Sequence, residues 1–142
     1  MENYDYETIY ECSPHTQSRH FTKLMYAIMK KGEIKKEYMS ESEINRKNEE
    51  GWTALMLAAR NSSTYSSNET VKLLLDNGAD VNLKNNRGLS ALMLAVENSK
   101  KNSSSEIVKL LLDNGADVNL KKERGTTALM LAVRNSRTGS SN

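Results

Sequence analysis

Apolar residues in this chain come in two alternating kinds of block. The first, Ala54-Leu55-Met56-Leu57-Ala58-Ala59, is apolar at every position. The second places Val71, Leu74 and Leu75 at i, i+3 and i+4 inside a polar setting, the spacing of a helix with one buried face. Both kinds then recur. GWTALMLAARNS opens at Gly51, GLSALMLAVENS at Gly88 and GTTALMLAVRNS at Gly125, each 37 positions after the last. ETVKLLLDNGADVNLK at Glu69 returns as EIVKLLLDNGADVNLK at Glu106 with the same offset. Self-similarity at a fixed period of 20–50 residues marks a repeat architecture. Such arrays act by presenting a surface, not by enclosing a reaction centre.

Within one unit the residue order predicts helix, loop, helix and extended finger. Thr53, Ser90 and Thr127 precede the apolar helices, where a hydroxyl can accept from free N–H groups of the first turn. Asn68 and Ser105 are placed to cap the second helices, followed by Glu69 and Glu106, which suit the positive end of the helix dipole. Gly78 and Gly115 fall where a left-handed C-cap is wanted. Helices are expected near 54–61, 69–77, 91–98, 106–114 and 128–135, with serine-rich loops over 62–68 and 99–105. An apolar helix such as 54–59 must be covered on several faces, and its alanines leave room for a neighbouring backbone.

The pattern resembles the ankyrin repeat. That family's Gly-x-Thr-Pro-Leu-His-x-Ala-Ala is matched by Gly51-Trp52-Thr53-Ala54-Leu55-Met56-Leu57-Ala58-Ala59. Its Leu-Leu-x-x-Gly-Ala-Asp-Val-Asn is matched by 74–82 and again by 111–119. The resemblance implies an all-α solenoid of antiparallel helix pairs with projecting hairpin fingers. Proline is replaced by Ala54, Ala91 and Ala128, and histidine by Met56, Met93 and Met130. Each unit is also four residues longer than the usual 33. Alanine–methionine units with serine-rich insertions resemble the ankyrin repeat proteins of giant DNA viruses infecting amoebae.

Both ends depart from the unit. Thr22 to Ile28 aligns with Thr53 to Ala59, and Ile44 to Asn48 with Val81 to Asn85. The division expected is an acidic tail over 1–18, a degenerate capping repeat over 19–50, full units over 51–87 and 88–124, and a partial unit over 125–142. In the capping repeat a lysine- and glutamate-rich second helix is expected over 33–39. The last unit matches its siblings only as far as the residue that would cap a second helix, so a truncated or decayed fragment of a longer array, with a structural role only, is the competing reading of the chain. An apolar edge left by the missing helix would favour self-association.

Composition narrows the chemistry. A net charge of +2 over 142 residues points to no polyanion, so no nucleic-acid partner is expected. No apolar run is long enough to span a membrane, and the acidic, polar start is unlike a signal peptide. The single cysteine excludes an internal disulfide and suits an intracellular, cytoplasmic setting. Cys12, His15 and His20 match no zinc spacing, and no catalytic constellation, metal or cofactor site is expected. Asp80 and Asp117 read as finger-entry residues, and Lys30, Lys31, Lys35 and Lys36 as a solvated cap face. Sequons begin at Asn61, Asn68 and Asn102, idle without a secretory signal. Tyr4, Tyr6 and Tyr10 lie in the tail.

Positions that keep the fold are copied between units, while positions facing a partner are free to differ. The differing set is Glu49-Glu50, Asn86-Arg87 and Glu123-Arg124 at the finger tips; Trp52, Leu89 and Thr126 after the turn glycine; and Arg60, Glu97 and Arg134 at the ends of the first helices, expected in a row. The resemblance implies that these line the surface that grips other proteins. Candidate protein-binding residues are therefore Trp52, Arg60, Arg87, Leu89, Glu97, Arg124 and Arg134, with Trp52 expected to be exposed. The function expected is non-catalytic protein–protein interaction, with an unidentified partner, host proteins included.

Overall fold

The computed structural model describes residues 21–30, 32–60, 68–97 and 104–139. Six helices lie among them: α1 (Lys23–Met29), α2 (Ala54–Arg60), α3 (Asn68–Asp76), α4 (Ala91–Glu97), α5 (Ser104–Asp113) and α6 (Ala128–Gly139). Single 3-10 turns occupy Lys36–Met39 and Glu123–Gly125. No strand occurs among the described residues, only an isolated bridge between Lys84 and Ser90. Helices α1, α2, α4 and α6 pack in series, each on the next. A second row, α3 and α5, lies against α2 and α4 and along itself. This is the all-α solenoid that the resemblance implies.

The helices begin where hydroxyls satisfy free N–H groups. Thr22 Oγ1 accepts from the Met25 N–H at 3.1 Å, Thr53 Oγ1 from Met56 at 3.3 Å, Ser90 Oγ from Met93 at 3.3 Å and Thr127 Oγ1 from Met130 at 3.4 Å. The second helices end in one recurring way. Gly78 (φ 91°) and Gly115 (φ 86°) turn left-handed. The Ala79 N–H then reaches Leu74 O and the Ala116 N–H reaches Leu111 O, both at 3.0 Å, the paired carbonyl closure of a Schellman motif.

Burial follows the two kinds of block. All six residues of 54–59 and all six of 91–96 are buried. Of α3 only Val71 and Leu74 are, and of α5 only Ile107 and Leu111 among its described side chains. First helices form the core and second helices roof it. Each fully buried Leu or Met contributes on the order of 1.5–3 kcal/mol.

Register between units is set by a stitch. The Asn45 amide donates to Gly78 O at 3.2 Å, and its Oδ1 accepts from the Asp80 N–H at 2.7 Å. Asn82 does the same one unit on, to Gly115 O at 3.1 Å and from the Asp117 N–H at 2.7 Å. Asp80 and Asp117 close the finger entry, accepting from the N–H groups of Asn82 and Asn119 at 2.9 and 2.8 Å. Asn119 holds the third stitch position and is exposed, with no partner for its side chain among the described residues.

Four expectations need correction or comment. No second helix spans 33–39; only the 3-10 turn Lys36–Met39 forms, because Met39 is its one buried residue and no i, i+3, i+4 apolar face supports more. Asn68 does not act as an outside cap. It is the first residue of α3, and its amide donates to the Glu106 carboxylate of the next unit. Helix α6 runs on to Gly139, past the expected end at 135, with the Asn135 amide donating to Val96 O at 2.7 Å and Ser136 Oγ to Val133 O at 2.8 Å. The serine-rich loops fall almost wholly outside the described residues.

The stitch makes a stability comparison. Asn82→Ala removes two inter-unit hydrogen bonds and should cost about 1–2 kcal/mol, whereas Asn119→Ala should cost less than about 0.5 kcal/mol. Equal losses on urea denaturation would show that the stitch is not what sets the joint.

Candidate protein-binding surface

The finger tips are built by an asparagine that accepts twice. Asn48 Oδ1 takes the N–H groups of Glu50 and Trp52 at 3.0 and 2.9 Å, and Asn85 Oδ1 takes those of Arg87 and Leu89 at 2.9 and 3.0 Å. Glycine then closes the turn, at φ 80° for Gly51 and 77° for Gly88. A Cβ on Gly51 would stand 2.8 Å from the Asn86 backbone nitrogen, and one on Gly88 would stand 2.9 Å from Lys122 Cα. Neighbouring fingers therefore touch at glycine.

Fingers one and two are also tied at their tips. The Asn86 backbone N–H donates to Glu50 O and its amide to Glu49 O, both at 2.9 Å, and Lys47 Nζ donates to Lys84 O at 2.9 Å. Between fingers two and three none of these ties recurs among the described residues. Glu123 stands where Asn86 stood, so the side-chain amide donor is gone; neither its backbone N–H nor Lys84, the counterpart of Lys47, makes the matching bond. Lys122 stands where Asn48 and Asn85 stood, so the third turn loses its side-chain acceptor. The backbone closes it alone, from the Gly125 N–H to Lys122 O at 3.0 Å. Arg124 in that turn has φ 66°, the one non-glycine residue with positive φ among those described.

A groove of about 330 Å³ opens between these two fingers. Arg87, Lys122, Arg124 and Arg134 line it with Glu123, above a floor that includes buried Leu89. Four of the residues singled out in the sequence, Arg87, Leu89, Arg124 and Arg134, thus meet at one place. Glu97 sits behind them, its Oε1 3.7 Å from both Lys122 Nζ and Arg134 Nη2. At that separation, with Arg134 62% exposed, each pair contributes less than about 1 kcal/mol.

Trp52 and Arg60 lie outside that groove, and the expected exposure of Trp52 is wrong. Trp52 is only 7% exposed. The Arg60 guanidinium lies 5.2 Å from its ring centroid and covers it, a cation–π contact. Arg60 consequently takes the indole, and of the three charges on successive first helices only Glu97 and Arg134 pair with each other. Lys122 was not singled out. The signal was present, because the 37-residue offset aligns this lysine with two turn-forming asparagines.

The remaining candidates resolve simply. Lys30 and Lys35 lie 5.9 Å over the rings of Tyr26 and Tyr38 on the cap. Cys12, His15, His20, Lys31, Asn61, Asn102 and the tail tyrosines lie outside the described residues. Among those described, no cluster of three or more His, Cys, Asp or Glu residues is placed to hold a metal ion. No helix there is long and apolar enough to cross a membrane.

Stacked helix pairs with an open, polar groove between projecting turns define a helical repeat protein. A family model for ankyrin repeats in three copies matches residues 7–85, 24–122 and 64–140, and the chain belongs to the ankyrin repeat family. Its members are generally protein-interaction modules and typically non-catalytic. Similar relatives are ankyrin repeat proteins of Acanthamoeba polyphaga mimivirus. One is 40% identical over 93 residues, which is 56% of this chain and 14% of the relative. A second is 42% identical over 84 residues, 54% and 15% of the two chains. A third is 38% identical over 86 residues, 54% and 10%. The chain therefore spans a small part of the length of these relatives.

The cover over Trp52 has a direct optical consequence. Emission from this single tryptophan should be blue-shifted and poorly quenched by iodide, and Arg60→Ala should raise the quenching. Quenching in the unaltered protein as efficient as for free tryptophan would place the indole in solvent.

Proposed function

We propose that this chain is a non-catalytic interaction module that grips a partner protein with the tips of its second and third fingers, the end of α4 and Arg134 in the middle of α6. The observation that carries this is the convergence of Arg87, Leu89, Arg124 and Arg134 on one groove. These positions differ between copies, while the stitches and caps beside them are repeated. The division into tail, capping repeat, two full units and a partial unit goes with this reading. So do an intracellular setting and, the similar relatives being proteins of a virus, a host protein as partner.

Panning a random-peptide library against the full chain tests the proposal without presuming a partner. Enriched peptides should bind, and should lose at least about tenfold in affinity with Arg87→Glu or Arg134→Glu. They should keep it with Lys72→Glu on the outer face of α3. No enrichment would favour a purely structural stretch of a longer array.

Self-association is a second reading, favoured by the edge of α6. Leu129, Met130 and Val133 are 70, 56 and 52% exposed, yet their counterparts Leu55, Met56 and Ala59, and Leu92, Met93 and Val96, are buried. A second copy covering this edge would give a dimer whose population grows with concentration in sedimentation velocity and falls with Met130→Glu. A monomer at every concentration would rule it out.

A further inference from the structure

We propose that the groove between the second and third fingers takes an acidic segment of a partner protein, with its carboxylates seated on Arg87, Arg124 and Arg134. This deepens the interaction-module reading and rests on it. The groove wall carries four cations against the carboxylate of Glu123 in its lining and that of Glu97 behind it, an excess of positive charge. Arg87 and Arg124 are exposed and have no side-chain partner among the described residues. Arg134 shares Glu97 with Lys122 at 3.7 Å each, beyond direct hydrogen-bond length, so its donors remain available.

The basic character is local. At the first finger the matching tip residues are Glu49 and Glu50, and the matching helix-end cation, Arg60, is spent on Trp52. Charge thus changes sign along the row of fingers, which orients an extended acidic ligand. Arg124 adds an independent sign. Its left-handed backbone (φ 66°) is a conformation that costs a non-glycine residue stability, and strain retained at a surface site is a recurrent mark of function.

Carboxylates suit this site better than a nucleic-acid backbone. Guanidinium forks match carboxylate geometry in bidentate pairs. The lining holds no aromatic ring on which a base could stack, and a net charge of +2 gives no extended basic track.

The test is fluorescence anisotropy on the full chain with a short labelled peptide in which every second residue is glutamate. The same peptide with glutamine and a single-stranded DNA of equal charge serve as comparisons. The glutamate peptide should bind most tightly, more weakly as salt rises, and at least about tenfold more weakly to Arg87→Gln. Arg124→Gly is the sharper variant. It removes the guanidinium but relieves the left-handed strain, so affinity should fall while Tm rises by about 3 °C. Lys72→Glu should bind as the unaltered protein does. No binding at low salt, equal binding of the glutamine peptide, tighter binding of DNA, or unchanged affinity in both arginine variants would each overturn the inference, as would an equal loss with Lys72→Glu. Neutral library peptides that still depend on the finger positions would overturn it too, and would leave the interaction module standing.

Discussion

Everything in this molecule follows from a helix that cannot be buried alone. Residues 54–59 and 91–96 are apolar all round, so one partner helix covers too little of them. Burial needs the first helix before, the first helix after and a roof from the second row. Ala58, Ala59 and Ala95, at 0% exposure, keep side-chain bulk out of those contacts. Stacking is therefore the condition under which any single unit becomes stable.

Stacking alone leaves the register loose, because smooth apolar helices slide. The polar stitches remove that freedom. Asn45 and Asn82 each read a backbone carbonyl and a backbone N–H of the next unit. With the joint fixed there, the finger tips are released from structural duty. Lysine replaces a turn asparagine at 122 and glutamate an amide donor at 123 where fingers two and three lie untied at their tips beside the groove.

Much of this was legible in the residues. The hydroxyls at 22, 53, 90 and 127 and the glycines at 78 and 115 announce helix ends because each answers a backbone need that few side chains can meet. The groove's arginines were legible as differences between copies. What was not legible is how a long side chain is spent. Trp52 differs between copies and so reads as surface, but Arg60, one helix length away, folds over it. The 3-10 turn in the cap is a related case: charge at 33–39 suggests a helix, yet only Met39 is buried there, with Ile34 and Tyr38 partly so, too little apolar surface to hold a longer one. The opening between fingers depends on a hydrogen bond that is absent, which no residue type announces by itself.

The stitch has a further consequence at the level of the gene. Each asparagine recognises only main-chain atoms of its neighbour, supplied by any unit whose second helix ends in Gly-Ala-Asp. Copies of the coding segment are therefore interchangeable in either direction. Unequal crossing-over that adds or deletes 37 codons rejoins asparagine to Gly-Ala-Asp and leaves the joint sound. The order of finger tips, and with it the sequence of charges offered to the outside, can be reshuffled without renegotiating the core.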